Sequence, residues 1–412
     1  MRMTLVLMAV LLAACSDAPT GPVAEETVPP ARGDTLLSTG RVAGMPKADR
    51  PGWELYLDAS RRNRERDRAA LDAEVRAAGM QTWTPAPVGP DFALTGAMTE
   101  AWFRTAEARR IADVIVSFQT PTGGWSKAVD MTGRPRQPGE SYGSGTTWNA
   151  IGTIDNGTTS EQLRFLAAAV RAHGDARHRD AFLKGLDYLH AAQFPSGCWP
   201  QIYPLQGGYH DAATYNDDAM VRVLRVLRSV ARGEHAFIPE AQRARADAAV
   251  DRGVACILAT QVAVAGKKTV WGQQHDPLTG APVKARAFEP AALSGRESAG
   301  ILDFLMEVES PSATVVGAVH DAAAWLRSVA VMGYDYDSTR GELVARPGAG
   351  PIWARLYEIG TNRPVFGDRD GSVRYVLAEI SEERRRGYAW YSTVPAATLR
   401  RYDTWARQYP KP

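Results

Sequence analysis

Leu186-Asp187-Tyr188-Leu189-His190-Ala191-Ala192-Gln193, running on into Phe194-Pro195-Ser196-Gly197-Cys198-Trp199, decides the fold because its layout recurs along the chain. A segment of helical period stops at a glutamine, and a Gly-containing loop leads to a tryptophan. Upstream, Ile111 to Gln119 passes through Thr120-Pro121-Thr122-Gly123-Gly124 to Trp125; downstream, Val254 to Gln261 passes through a looser stretch to Trp271. Each unit is followed by another helix with a readable start. Thr159 with Gln162 and Ser294 with Glu297 read as capping boxes, and Asn216 can cap Asp217 to Leu227. No run of alternating strands interrupts this order. Helix pairs that cannot bury their apolar faces alone stack side by side, which predicts an all-α fold: an α/α toroid, or incomplete barrel of repeated helix pairs. Its long Gly/Pro-rich loops gather where the inner helices begin. In such a repeat, Trp125, Trp199 and Trp271 read as wedges between helix pairs rather than as sugar platforms.

Composition removes several function classes. The 412 residues are 45% hydrophobic and 23% charged, and 48 Lys+Arg against 46 Asp+Glu leave a net charge of +2. That balance lacks the broad basic field of a nucleic-acid binder, so no nucleic-acid partner is expected and an anionic ligand must be met locally. Cys15, Cys198 and Cys256 form no disulfide framework and show no zinc-ligand spacing. Neither GxGxxG nor GxxxxGK occurs, and the histidines are scattered without HExxH. Gly139-Glu140-Ser141-Tyr142-Gly143 matches GxSxG, but no strand precedes it and no helix follows, so it reads as chance.

At the start of the chain, Met1-Arg2-Met3 precedes the apolar run Thr4 to Ala14, and Leu12-Ala13-Ala14-Cys15 resembles a bacterial lipobox. That resemblance implies a signal peptide over 1–14, acylation of Cys15 as the only membrane contact, and, with Ser16 next, the outer membrane or secretion as the destination. Residues 15–50 then read as a flexible tether, and 51–412 as the catalytic domain with an N-terminal helical extension. In that extension, Trp53 to Ala78, acids interleave the arginines Arg61 to Arg68, as on a solvated helix face.

Two oxygen-rich clusters precede inner helices: Thr153-Ile154-Asp155-Asn156-Gly157 and Tyr215-Asn216-Asp217-Asp218. Hard oxygen donors of this kind suit Ca²⁺, and they also suit helix capping. Basic residues follow in Lys284-Ala285-Arg286 and in Asp368-Arg369-Asp370; arginines pair bidentately with carboxylates, so near a calcium site they point to a carboxylate-bearing substrate. An Asp155 and Asp217 or Asp218 pair would equally serve a glycoside hydrolase. A non-catalytic lipoprotein that captures acidic oligosaccharides is the third reading.

Thr153 to Gly157, Gly185 to Gln201, Tyr215 to Met220, Lys268 to Asp276, Arg286 to Pro290, Asp368 to Gly371 and Arg384 to Tyr391 together resemble the family 10 polysaccharide lyases over roughly residues 95–400. The resemblance implies a monomeric pectate lyase that cleaves α-1,4-polygalacturonate by calcium-assisted β-elimination. It implies Asp155, Asn156 and Asp217 as calcium ligands, Asp155, Lys284 and Arg369 as substrate contacts, with Arg385 or Arg386 as alternatives to Arg369, and Arg286 as the base. Burial and nearby cations are expected to lower the pKa of Arg286. Cys198 departs from the family pattern, which has a second glycine there.

Overall fold

The computed structural model describes residues 36–145 and 152–411. Nine long helices organise it: α1 (Arg50–Ala77), α2 (Ala106–Ser117), α3 (Ser160–His173), α4 (Ala176–Ala192), α5 (Ala219–Ala231), α6 (Glu240–Thr260), α7 (Gly295–Met306), α8 (Ala313–Ser328) and α9 (Val394–Gln408). Helices α2, α4, α6 and α8 form an outer row around α3, α5 and α7, and α9 packs on α7 and α8. The inner helices are apolar on most sides: Met220, Val221, Val223, Leu224, Val226, Leu227 and Val230 of α5 are all buried. This is the helical toroid, left open.

The recurrent glutamine and tryptophan hold the repeats in step. Gln119 Nε2 donates to Gly123 O in its own loop and to Ala181 O of the next outer helix, both at 2.8 Å. Gln193 does the same to Gly197 O and Ala249 O at 2.9 Å, and Gln261 to Thr269 O and Ala318 O at 3.0 Å. The indoles of Trp125, Trp199 and Trp271 turn back onto Ile115 O, Leu189 O and Ile257 O, each at 2.7 Å. A fourth tryptophan, Trp353, closes the series on Leu326 O at 2.7 Å. All four indoles are buried, as wedges rather than platforms. Two-residue strands join successive loops, Gly152–Thr153 to Ile202–Tyr203, Ala213–Thr214 to Gln274–His275, and Leu293–Ser294 to Leu356–Tyr357.

The expectation that the cysteines form no disulfide is corrected. Cys198 and Cys256 are bonded, with Cα atoms 5.6 Å apart and a sequence separation of 58. The repeat explains the pair. In the first unit a Cβ on Gly124 would lie 2.6 Å from the Tyr188 ring, so a glycine there makes room for an aromatic. Cys198 and Cys256 hold the corresponding positions of the second unit and fill that space with a covalent bond. The departure at Cys198 is thus matched by a second one at Cys256.

The expected capping boxes are also corrected. Thr159 has a positive φ of 65° and its side chain makes no cap; its hydroxyl donates to Thr153 O and accepts from Trp125 N. Ser294 Oγ donates to Glu297 rather than capping α7, and Asn216 makes no side-chain cap. Thr159 and Asn216 are taken by tertiary contacts, and Ser294 by the Glu297 carboxylate.

Of the segment read as a tether, residues 36–50 are packed rather than free: Leu37 and Val42 are buried and Arg41 pairs with Asp276 at 2.7 Å. The expected signal peptide over 1–14 and Cys15 lie outside the described residues. Among the described residues no helix is long and apolar enough to cross a membrane. Helix α1 packs Trp53 and Tyr56 on Phe194, and its buried Asp67 accepts from Thr122 N at 2.7 Å.

Loss of the disulfide by Cys198→Ser with Cys256→Ser is expected to lower the unfolding free energy by about 2–4 kcal/mol in urea titrations, through the loop it closes. Asp67 provides a second test. Burial pushes its carboxyl up to about 6, with the bonds from Thr122 opposing. The folded state therefore binds this proton more tightly than the unfolded one, and the stability it lends is lost as pH climbs from about 4 to about 6. Asp67→Asn keeps an acceptor for Thr122 and removes the charge. It should leave stability unchanged near pH 4 and raise it by on the order of 2 kcal/mol near pH 8.

Candidate active site

The mouth of the toroid is built from two short turns and the residues that face them. Asp155–Gly157 and Asn216–Asp218 each form one turn of 3₁₀ helix before an inner helix, and the two turns are in contact. Both are bent by left-handed residues, Asn156 at φ 51° and Asp217 at φ 50°. Asn156 is therefore the counterpart of Asp217, and Asp155 that of Asn216. For L-residues this backbone is costly, and Asn and Asp tolerate it best.

Asp155 is buried. Its Oδ2 accepts from Lys127 Nζ at 3.0 Å, while Oδ1 is buried with no hydrogen-bond partner among the described residues. Burial pushes its pKa up, but Lys127, the Gln201 amide and Arg286 together hold it below the usual carboxylate range. Asn156 is exposed and donates to Asp91 Oδ2 at 2.7 Å. Asp217 Oδ2 accepts from Asn216 Nδ2 at 2.7 Å, and its Oδ1 from Arg355 at 3.0 Å. Arg355 is buried and also meets Glu297 at 2.8 Å.

From there a polar chain runs to Arg286. Gln273 Nε2 lies 3.1 Å from Asn216 Oδ1, Glu297 Oε1 and Tyr388 Oη, and Tyr388 donates to Glu289 at 2.9 Å. Glu289 grips Arg286 at two points, 2.8 Å from Nε and 2.6 Å from Nη2. Tyr209, tilted against His210 with ring centroids 4.0 Å apart, stands in the field of Arg286, Lys127 and Asp155. Burial pushes the Tyr209 phenol up to about 12 and the His210 imidazole down to about 4.

Asp155, Asp217 and Arg286 thus face one mouth. The expected lowering of the Arg286 pKa is corrected: burial acts in that direction, but the two-point bond to Glu289 outweighs it and raises the value. Arg369 sits at the rim. It pairs with Glu383 at 2.9 and 3.0 Å, and its guanidinium lies 5.8 Å from the Phe288 ring, over which Arg286 also stands at 4.7 Å. Arg385 and Arg386 pair instead with Glu342 and Glu382. Lys284 is exposed and makes no ion pair among the described residues. Ser141 of the GxSxG match is buried and donates to Gly143 O.

Sequence reasoning missed Arg355, Glu289, Glu297, Tyr388 and Tyr209, and left Lys127 open. A signal for two of them was present. The residue two places after each clamp tryptophan projects into the mouth: Lys127, Gln201, Gln273 and Arg355 follow Trp125, Trp199, Trp271 and Trp353. Trp353 escaped notice because no glutamine announces it.

Among the described residues, one group of three His or acidic side chains could converge on a metal: Asp113, Asp175 and His178. It includes the turn between α3 and α4, at the end of the toroid away from the mouth, and Arg109 and Arg177 already neutralise it.

The fold and this mouth define a carbohydrate-cleaving enzyme of the helical-toroid type. The pectic acid lyase family model matches residues 119–399. A family 10 polysaccharide lyase from Cellvibrio cellulosa is 35% identical, with a TM-score of 0.66, covering 78% of this chain and 99% of its own. An aspartate-to-alanine mutant of the family 10 lyase from Cellvibrio cellulosa, in complex with trigalacturonic acid, is 36% identical, with a TM-score of 0.66, covering 77% and 100%. A search of curated protein sequences gives no match. The chain belongs to the pectic acid lyase family, the family 10 polysaccharide lyases, and is a polysaccharide lyase.

Arg355 carries two carboxylates at the centre of this network. Replacing it by Ala leaves Glu297 buried and unpaired, so Arg355→Ala should cost about 3–5 kcal/mol in chemical denaturation.

Proposed function

We propose that this lyase acts on polygalacturonate by calcium-assisted β-elimination, with Arg286 as the base. The observation that carries the reading is the placement of Arg286 within the field of Asp155 and Lys127, beside two oxygen-rich turns. The donor set fits calcium: Asp155, Asn156 and Asp217 offer hard oxygens, and Asp155 Oδ1 is a buried acceptor with no hydrogen-bond partner of good geometry among the described residues. Calcium held there would neutralise the uronate carboxylate and so acidify the neighbouring C5 proton.

The chain's own residues account for the rest. Lys127 and Arg369 supply further positive charge around Arg286, suited to uronate groups beside the reacting bond. Glu289 fixes the plane of the Arg286 guanidinium and, in the resting enzyme, keeps it charged. Removal of the C5 proton needs the neutral form. The C5–H electron pair becomes the C4–C5 double bond, the C4–O bond breaks, and the leaving oxygen takes a proton, giving a 4,5-unsaturated sugar. Because only the neutral guanidinium is competent, the rate rises with pH through the alkaline range.

The trigalacturonic acid bound by the Cellvibrio relative supports an oligogalacturonate ligand. We also propose export and Cys15 lipidation, with the chain acting as a monomer at the outer membrane or secreted. The Cys198–Cys256 disulfide supports an oxidising compartment.

Arg286→Ala and Arg286→Lys should abolish the rise in ultraviolet absorbance on polygalacturonate while oligogalacturonate binding, read by calorimetry, is kept. Equal loss of both would make Arg286 a positioning group. Chelation should stop turnover and added calcium restore it; full activity in chelator would remove the metal from the reading.

A further inference from the structure

The two turns of the mouth correspond residue for residue but are held by different means. Thr153 N and Thr214 N donate to Trp125 O and Trp199 O, and Ile154 N and Tyr215 N donate to Gln201 O and Gln273 O. Gly157 therefore matches Asp218, and Thr159 matches Met220. In the first unit a glycine takes the second left-handed position, at φ 79°. Thr159, left-handed as well, is tied by its hydroxyl to Thr153 O and Trp125 N. The second unit instead has two left-handed non-glycine residues in succession, Asp217 at φ 50° and Asp218 at φ 60°, and its Met220 has no hydroxyl to offer. Backbone of that kind persists only where its surroundings enforce it.

Tyr215, which stands in the place of Ile154, is where the second turn is tied. It is buried, and its ring meets His275 edge-on with centroids 5.5 Å apart. Thr260 Oγ1 donates to Cys256 O at 2.8 Å, so the Tyr215 hydroxyl is the donor in its 2.7 Å bond to Thr260. Cys256 is bonded to Cys198, whose Sγ lies 4.0 Å from Tyr215 Oη. Disulfide, Thr260 and Tyr215 thus close a ring of contacts that joins α6 to the turn. At the turn itself Asp218 N donates to Tyr215 O at 3.1 Å. On the far side Asp218 is seated on Gly300 of α7, where a Cβ would fall 2.0 Å from its Oδ1. The first unit lacks this ring: there Tyr188 of the outer helix packs on Gly124, and the turn follows an isoleucine.

We propose that Tyr215 is a positioning residue for the second turn, braced by Thr260 and the Cys198–Cys256 disulfide, and that this brace sets the calcium affinity of Asp217. The metal part of the proposal rests on the calcium reading above. A ligand held in its binding conformation before the ion arrives loses less freedom on binding. If the turn occupies that conformation for only part of the time, the apparent Kd rises in proportion. The brace therefore acts on how tightly the ion is held, and the proton-removing group at Arg286 is untouched by it.

Two measurements on the wild type, Cys198→Ser with Cys256→Ser, and Tyr215→Phe test this. Tyr215→Phe keeps the disulfide and the ring, so it guards against loss of the fold in the serine variant. The first measurement is amide hydrogen exchange of the metal-free proteins, read by mass spectrometry over residues 215–220, with residues 154–159 of the first turn as the internal control. The second is calcium titration by calorimetry. In both variants exchange over 215–220 should quicken and the calcium Kd should rise, each roughly three- to tenfold, while exchange over 154–159 stays as in the wild type. Wild-type exchange over 215–220 in both variants, an unchanged calcium Kd, or equal quickening in both turns would overturn the proposal. Exchange quickened in the second turn alone, with no calcium heat from the wild type, would support the brace and overturn the calcium reading instead.

Discussion

A glutamine amide with two buried hydrogen bonds sets the geometry of this molecule. At Gln119, Gln193 and Gln261 one N–H fixes the loop that follows and the other fixes the neighbouring outer helix. Loop and helix pair therefore cannot shift independently. An unmet amide in this core would carry its full desolvation cost uncompensated, and each tryptophan indole adds a further tie at the same point. With the loops fixed, the second residue after each tryptophan emerges at a defined place on the mouth. Lys127, Gln201, Gln273 and Arg355 are one structural position used four times, with the chemistry varied from cation to amide.

That constraint explains how so much charge is kept at one end. Glu289, Glu297, Asp155 and Arg355 are all buried, and ions out of water are tolerable only when paired and held. Glu297 and Asp217 share Arg355, Glu289 holds Arg286, and Tyr388 and Gln273 join the two pairs. The same pairing creates the central tension of the proposed reaction. Glu289 orients Arg286 by the bond that keeps it protonated, so order in the resting site opposes the neutral form that proton removal requires.

Around the repeat, elements have been added that act on its loops. Cys198 and Cys256 replace a glycine and a tyrosine packing with a covalent link between helix α6 and the loop three residues ahead of Gln201. Helix α1 grips the loops at Thr122 and Leu205 from outside. The long arginine-rich helix is thus part of the rim, although its sequence alone reads as a solvated surface.

By itself the sequence determined the repeat, the toroid, and the identity of Asp155, Asn156 and Asp217 as residues of interest, while Arg286 stood out only through the family resemblance. These are local signals: a helical period, a Gln-to-Trp spacing, a cluster of oxygens before a helix. Tertiary structure alone decided who pairs with whom. Arg355 meets Asp217 across the fold, Glu289 sets the charge of Arg286, Thr159 abandons its cap for Trp125, and Cys256 finds Cys198. Pairings of that kind depend on which loops the toroid brings to one mouth, and a separation along the chain carries no record of it.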